Sequence, residues 1–95
     1  PGISPKQLKF YQEVLTYYQN LARERGNDEP ARKRFADAAM RVAMLKRSLG
    51  KGKEAIEDYE QAKQEYEALA RDFPGQRDYR RLLAECYYHI GWVRG

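Results

Sequence analysis

The chain repeats itself. A shift of 48 residues lays Tyr11 on Tyr59, Tyr18 on Tyr66 and the run Leu21-Ala22-Arg23 on Leu69-Ala70-Arg71. The same shift sets Gly2 on Gly50, Arg32 on Arg80 and Ala36 on Ala84. Apolar character is preserved where Phe35 meets Leu83 and Val42 meets Ile90. The breakers fall in register as well, Gly26-Asn27 with Pro74-Gly75. Two copies of one small unit, neither able to bury its apolar face alone, restrict the fold to a stack stabilised by contact between neighbours.

Each copy reads as a pair of helices. Ser4-Pro5 starts the first, with a serine N-cap and a proline at a position whose N–H would be unpaired anyway. Leu8, Tyr11, Val14, Leu15, Tyr18, Leu21 and Ala22 then recur at three- and four-residue steps. Asp28 caps the second helix, with Pro30 in its first turn and Phe35, Ala39, Val42, Ala43, Leu45 and Leu49 facing inward, up to Gly50. After Gly52 a third helix carries Ala55, Ile56, Tyr59, Ala62, Tyr66, Leu69 and Phe73 on one stripe, ended by Pro74-Gly75. The fourth carries Tyr79, Leu82, Leu83, Cys86, Tyr87, Ile90 and Val93. The predicted spans are 5–25, 29–49, 53–73 and 76–93, all within a single domain over 1–95.

Composition narrows the function classes. No stretch of about 18 apolar residues is present to cross a membrane, and there is no secretory leader pattern, so a cytoplasmic location is expected. The single cysteine, Cys86, has no internal disulfide partner. A start at Pro1-Gly2 without Met reads as a fragment of a longer protein. The net charge of +4 is split unevenly, +5 over residues 1–47 and −1 over 48–95, which could steer a partner. It does not form the dense basic stripe of a nucleic-acid binder, so weak nucleic-acid binding through the basic first half stands only as an alternative.

The units resemble the tetratricopeptide repeat, read out of phase. Val42-Ala43, Gly50, Ala55, Tyr59 and Ala62 occupy, in order, that family's helix A, closing glycine and helix B positions, and Tyr87, Ile90 and Gly91 open the next helix A. The resemblance implies an all-α array of antiparallel helical hairpins in the order B-A-B-A, wound as a right-handed solenoid. The 48-residue period exceeds the family's usual 34, and Ala39 is smaller than the bulky residue normally found at its place. Long-period units of this kind are similar to repeats attached to some bacterial serine/threonine protein kinases, although no kinase motif is present here. Ala43 and Gly91 are expected to let a neighbouring helix approach closely. A final A helix with no B helix over it is expected to be sticky and to offer a homodimer contact.

In this family the stacked A helices line a concave groove where a partner segment lies. The matching positions are Asp37, Met40, Arg41, Met44 and Arg47 on the second helix, and Glu85, Tyr88, His89 and Trp92 on the fourth. The resemblance therefore implies a protein or peptide partner, with Met40, Met44, Tyr88 and Trp92 as apolar contacts and Arg41, Arg47 and His89 as polar ones. The bland alternative is that these side chains pack against helices of a longer protein. The subclass that clamps a partner's terminal carboxylate is not matched, since Asp37 and Glu85 stand where bases are needed.

No catalytic, cofactor or metal site is expected, and no small-molecule substrate. His89 is the only histidine, and Cys86 lies on the inward stripe, where burial is the simpler role. Glu54, Glu57, Asp58, Glu60, Glu65 and Glu67 read as a solvated face, with Glu60 able to reach Lys63 or Gln64 and Lys53 able to reach Glu57. The Arg32-Lys33-Arg34 run, echoed by Arg80-Arg81, sits at helix starts where the macrodipole favours acids. That placement suggests a contact, either with the acidic third helix or with a partner. Of the eight tyrosines, Tyr11, Tyr18, Tyr59, Tyr66 and Tyr87 fall on core stripes and are read as structural rather than as base-stacking platforms. The remaining alternative is a helical spacer, structural or regulatory, attached to a kinase and lacking any ligand of its own.

Overall fold

The computed structural model describes residues 4–23 and 26–94. Four helices follow one another, α1 Pro5–Arg23, α2 Glu29–Ser48, α3 Gly52–Asp72 and α4 Arg77–Arg94. No strand occurs among the described residues. The expected end of the first helix at residues 24–25 lies outside the described residues, and the other boundaries agree with the sequence reading to within one residue.

The helix ends are built from local hydrogen bonds. Ser4 and Gln7 cap α1 reciprocally, the Gln7 N–H donating to Ser4 Oγ at 3.2 Å and the Ser4 N–H to Gln7 Oε1 at 3.1 Å. Asp28 Oδ1 accepts the Ala31 N–H at 3.0 Å and so satisfies one of the free donors at the start of α2. At the other end Gly50 takes φ 78°, a left-handed conformation that disfavours residues with a Cβ. There the Lys51 N–H donates to Lys46 O at 2.8 Å and the Gly50 N–H to Arg47 O at 3.0 Å, the paired bonds of a Schellman stop. The chain then turns straight into α3.

Packing is neighbour on neighbour: α1 on α2, α2 on α3, α3 on α4. Ala55, Tyr59, Ala62, Tyr66 and Leu69 make a fully buried stripe along α3. They pack with Ala36, Ala39, Met40 and Ala43 of α2 and with Tyr79, Cys86 and Ile90 of α4. The alanines of α2 are what let α3 set two whole tyrosine rings between its neighbours, since a packed interior has no spare volume.

Among the described side chains two residues depart from the sequence reading of the core, and that of Ala22 lies outside them. Tyr87 is 55% exposed rather than inward, because it lies about 100° around the helix from Cys86 and points past α3. Its ring carries the Lys63 ammonium 5.4 Å above it. Leu8 is exposed on α1. Gly91, expected to admit a close helix, faces open space, with nothing within 4 Å of an added Cβ. The close approach is at Gly52 instead, where Val93 Cγ1 would stand 3.3 Å from such a Cβ.

Candidate interaction groove

α3 lies between α2 and α4 and holds them apart as two walls. The walls are tied at one end by the Tyr79 hydroxyl, which donates to Glu29 Oε2 at 2.8 Å. Further along, an Arg47 guanidinium N–H donates to His89 Nδ1 at 3.1 Å. These two ties follow the same order along both helices, so α2 and α4 run in the same sense. Between them lies a cavity of about 380 Å³ lined by Lys33, Asp37, Met40, Arg41, Met44, Arg81, Leu82, Glu85 and His89.

Two tyrosines of α3, seven residues apart, each fix one wall. Tyr59 stacks flat beneath His89, with ring centroids 5.1 Å apart and planes 7° from parallel. The Tyr66 hydroxyl donates to Asp37 Oδ1, and Lys33 Nζ reaches the other carboxylate oxygen of Asp37 at 2.9 Å. Burial and this carboxylate together drive the Tyr66 pKa far above its usual value, so the hydroxyl stays a donor. For His89, burial first and the Arg47 charge second push the pKa down, with Glu85 opposing. The imidazole is therefore neutral near pH 7, and accepting from Arg47 on Nδ1 leaves its proton on Nε2.

The walls repeat. Lys33–Asp37 on α2 and Arg81–Glu85 on α4, the second at 3.5 Å, are the same ion pair displaced by 48 residues. Neither Lys33 nor Arg81 was among the groove residues expected from sequence, although the repeat register sets one on the other; Leu82 was not expected either, and its register partner Arg34 gave no signal for it. Of the seven expected contact residues, the structure brings Met40, Arg41, Met44 and His89 to one cavity and places Arg47 beside it. Met40 is itself buried, so it forms floor rather than open surface, and Arg41 is exposed on the rim. Tyr88 and Trp92 do not line the cavity: they are 66% and 68% exposed on the outer side of α4. The groove is consequently more polar than the apolar floor expected from sequence.

The remaining candidates fall into structural roles. Cys86 is fully buried, and burial pushes its thiol up to about 12, far from a reactive thiolate at neutral pH. No cluster of metal-ligating side chains occurs among the described residues. Part of the basic first half is paired internally, Arg32 with Asp72 at 2.9 Å and Lys46 with Asp58 at 2.7 Å. Glu60 pairs with Lys63 at 2.9 Å, as its spacing predicts. No described helix is long and apolar enough to cross a membrane. Comparison with protein-family models, with curated proteins and with solved structures gives no match for the chain.

Proposed function

We propose that the protein is a tetratricopeptide-like interaction module that holds a protein partner segment along the α2–α4 groove. The observation that carries this is the pair of equivalent walls, each with a basic-acidic pair at the same register, set over a floor of Met40, Met44 and Leu82. Such a surface offers spaced charges above a soft apolar base, a combination suited to an extended or helical segment. Lys33 and Arg81 are engaged with carboxylates, which among the described residues leaves Arg41 as the groove cation without an acidic partner and an acidic side chain as its natural complement.

The runner-up is a helical spacer, attached to a kinase or another domain and holding no ligand. It draws on the internal pairing of Asp37, Arg47, His89 and Glu85, which leaves few groove polar groups without a partner.

Affinity capture from native lysate separates the two. Three baits are compared by mass spectrometry: wild type, the groove variant Arg41→Glu/Arg81→Glu, and Lys53→Glu on exposed surface away from the groove. A protein retained by wild type and by Lys53→Glu but lost from the groove variant supports the module. The same set on all three baits, or none on any, gives the spacer reading its place.

A further inference from the structure

The outer faces of the first and last described helices are complementary, and we infer that the chain assembles head to tail, with α1 of one copy seated on the outer face of α4 of the next. The surfaces concerned are the outer faces of α1 and α4, with Glu85 as the one residue shared with the α2–α4 groove.

The inference starts from what covers α2. Ala36, Ala39, Met40 and Ala43 are buried, packed in one core with the stripe of α3. Displaced by 48 residues, those positions are Ala84, Tyr87, Tyr88 and Gly91 of α4, and all four are exposed. Two small residues flanked by aromatics, with open space over Gly91, make a helix-receiving face that no described helix covers. Its natural occupant is a helix of the α3 kind.

The chain holds a second helix of that kind in α1. Tyr11, Tyr18 and Leu21 stand at the positions of Tyr59, Tyr66 and Leu69. One side of α1 is already used against α2: Val14 and Tyr18 lie by Arg41, Met44 and Leu45, and Gln19 and Arg23 lie by Phe35 and Ala39. The other side is exposed. Phe10 is 62% exposed and Tyr17, seven residues on, is 64% exposed. Phe10 occupies the register position of Asp58, the residue through which α3 reaches Lys46 of α2. So α1 leaves uncovered the side by which an α3-type helix grips its hairpin partner, and α4 leaves uncovered the face such a helix grips.

A polar contact carries over with its chemistry intact. Within the chain the Tyr66 hydroxyl donates to Asp37. The displaced pair is Tyr18 of one copy and Glu85 of the other, again a phenol facing a carboxylate. Because the two surfaces differ, the contact is heterologous: each added copy presents a fresh end, and growth does not stop at a dimer.

The test uses the whole chain and two charge-blocked variants, sized by sedimentation velocity and light scattering over a wide concentration range. Phe10→Arg/Tyr17→Arg blocks the head and Ala84→Glu/Gly91→Glu blocks the tail, with Tyr88→Lys as a second tail block. All lie at exposed positions, and circular dichroism checks that each variant remains helical. Wild type is expected to gain mass with concentration in a ladder of oligomers, while each variant alone stays at monomer mass. Mixing head-blocked with tail-blocked chains restores one good end of each kind and is expected to double the mass, to a one-to-one pair. A wild type that stays monomeric throughout overturns the inference, as does a mixture that stays monomeric. So does a head-blocked variant that associates like wild type, which would mean that α4 pairs symmetrically with a second α4.

Discussion

Replacing Tyr66 by Phe and, separately, Tyr59 by Phe removes the same oxygen from two fully buried rings on one helix. The consequences should differ in sign. The Tyr66 hydroxyl donates to the Asp37 carboxylate, and a hydrogen bond to a charged group contributes about 1.5–3 kcal/mol. The Asp37 side chain is 39% exposed and keeps Lys33 at 2.9 Å, so water and the ammonium make good part of the loss. Tyr66→Phe should then cost about 1–2 kcal/mol. The Tyr59 hydroxyl is buried without a hydrogen-bond partner among the described residues. Its desolvation is uncompensated in the fold, so Tyr59→Phe should be neutral or stabilise by up to about 1 kcal/mol. Urea unfolding followed by circular dichroism, with the slope m unchanged, measures both. In thermal melts each kcal/mol moves Tm by about 4–8 °C for a domain of this size. Equal costs, or a costlier Tyr59→Phe, would refute the assignment of Tyr66 as the tie between α3 and the α2 wall.

Other outcomes follow from the same geometry. Burial pushes the Cys86 thiol and the Tyr79 hydroxyl up to about 12 from ordinary values of 9.0 and 10.0. Their stabilisation is complete below pH 9 and declines as pH rises from there toward 12, because the unfolded chain releases protons that the fold retains; urea midpoints that stay level through this window would contradict it. His89 is shifted the opposite way, so its contribution is present above its ordinary value of 6.5 and is lost as pH falls below it. His89→Gln should flatten the acid limb of a stability–pH profile near that value. Gly50→Ala, forced to keep φ 78°, should cost about 1 kcal/mol. Gly75→Ala, at a turn with nothing within 4 Å of the new Cβ, should change stability by less than about 0.5 kcal/mol in the same melts.

Much of the fold was legible because the signals were local. Ser4, Asp28 and the Gly50 stop act through bonds spanning three to five residues, which the sequence displays directly. The 48-residue register pairs Tyr59 with Tyr11 and Tyr66 with Tyr18 in the same direct way. What periodicity could not tell was which of two adjoining stripes on α4 has a neighbour in place. Tyr87 and Cys86 are adjacent in the chain, yet Cys86 meets α3 while Tyr87 faces solvent. The same ambiguity carried Tyr88 and Trp92 into the expected groove, since the positions equivalent to them on α2, Met40 and Met44, do line the cavity. On α2 a following helix presses those side chains down; on α4 no described helix does. The Arg47–His89 bond and the Tyr59–His89 stack depend on how far apart α3 holds the walls, a distance that no single helix encodes.

The most direct test of a partner-holding groove is capture at its wall. A photo-crosslinking phenylalanine analogue is placed at Arg41 on the rim, at Arg81 across the cavity and, as a control, at exposed Lys53. Each chain is irradiated in native lysate and its adducts are identified by mass spectrometry. A groove that holds a partner gives the same protein, through the same short peptide, from Arg41 and Arg81 but not from Lys53. Adducts equally frequent at all three positions, or absent from both walls, would contradict it.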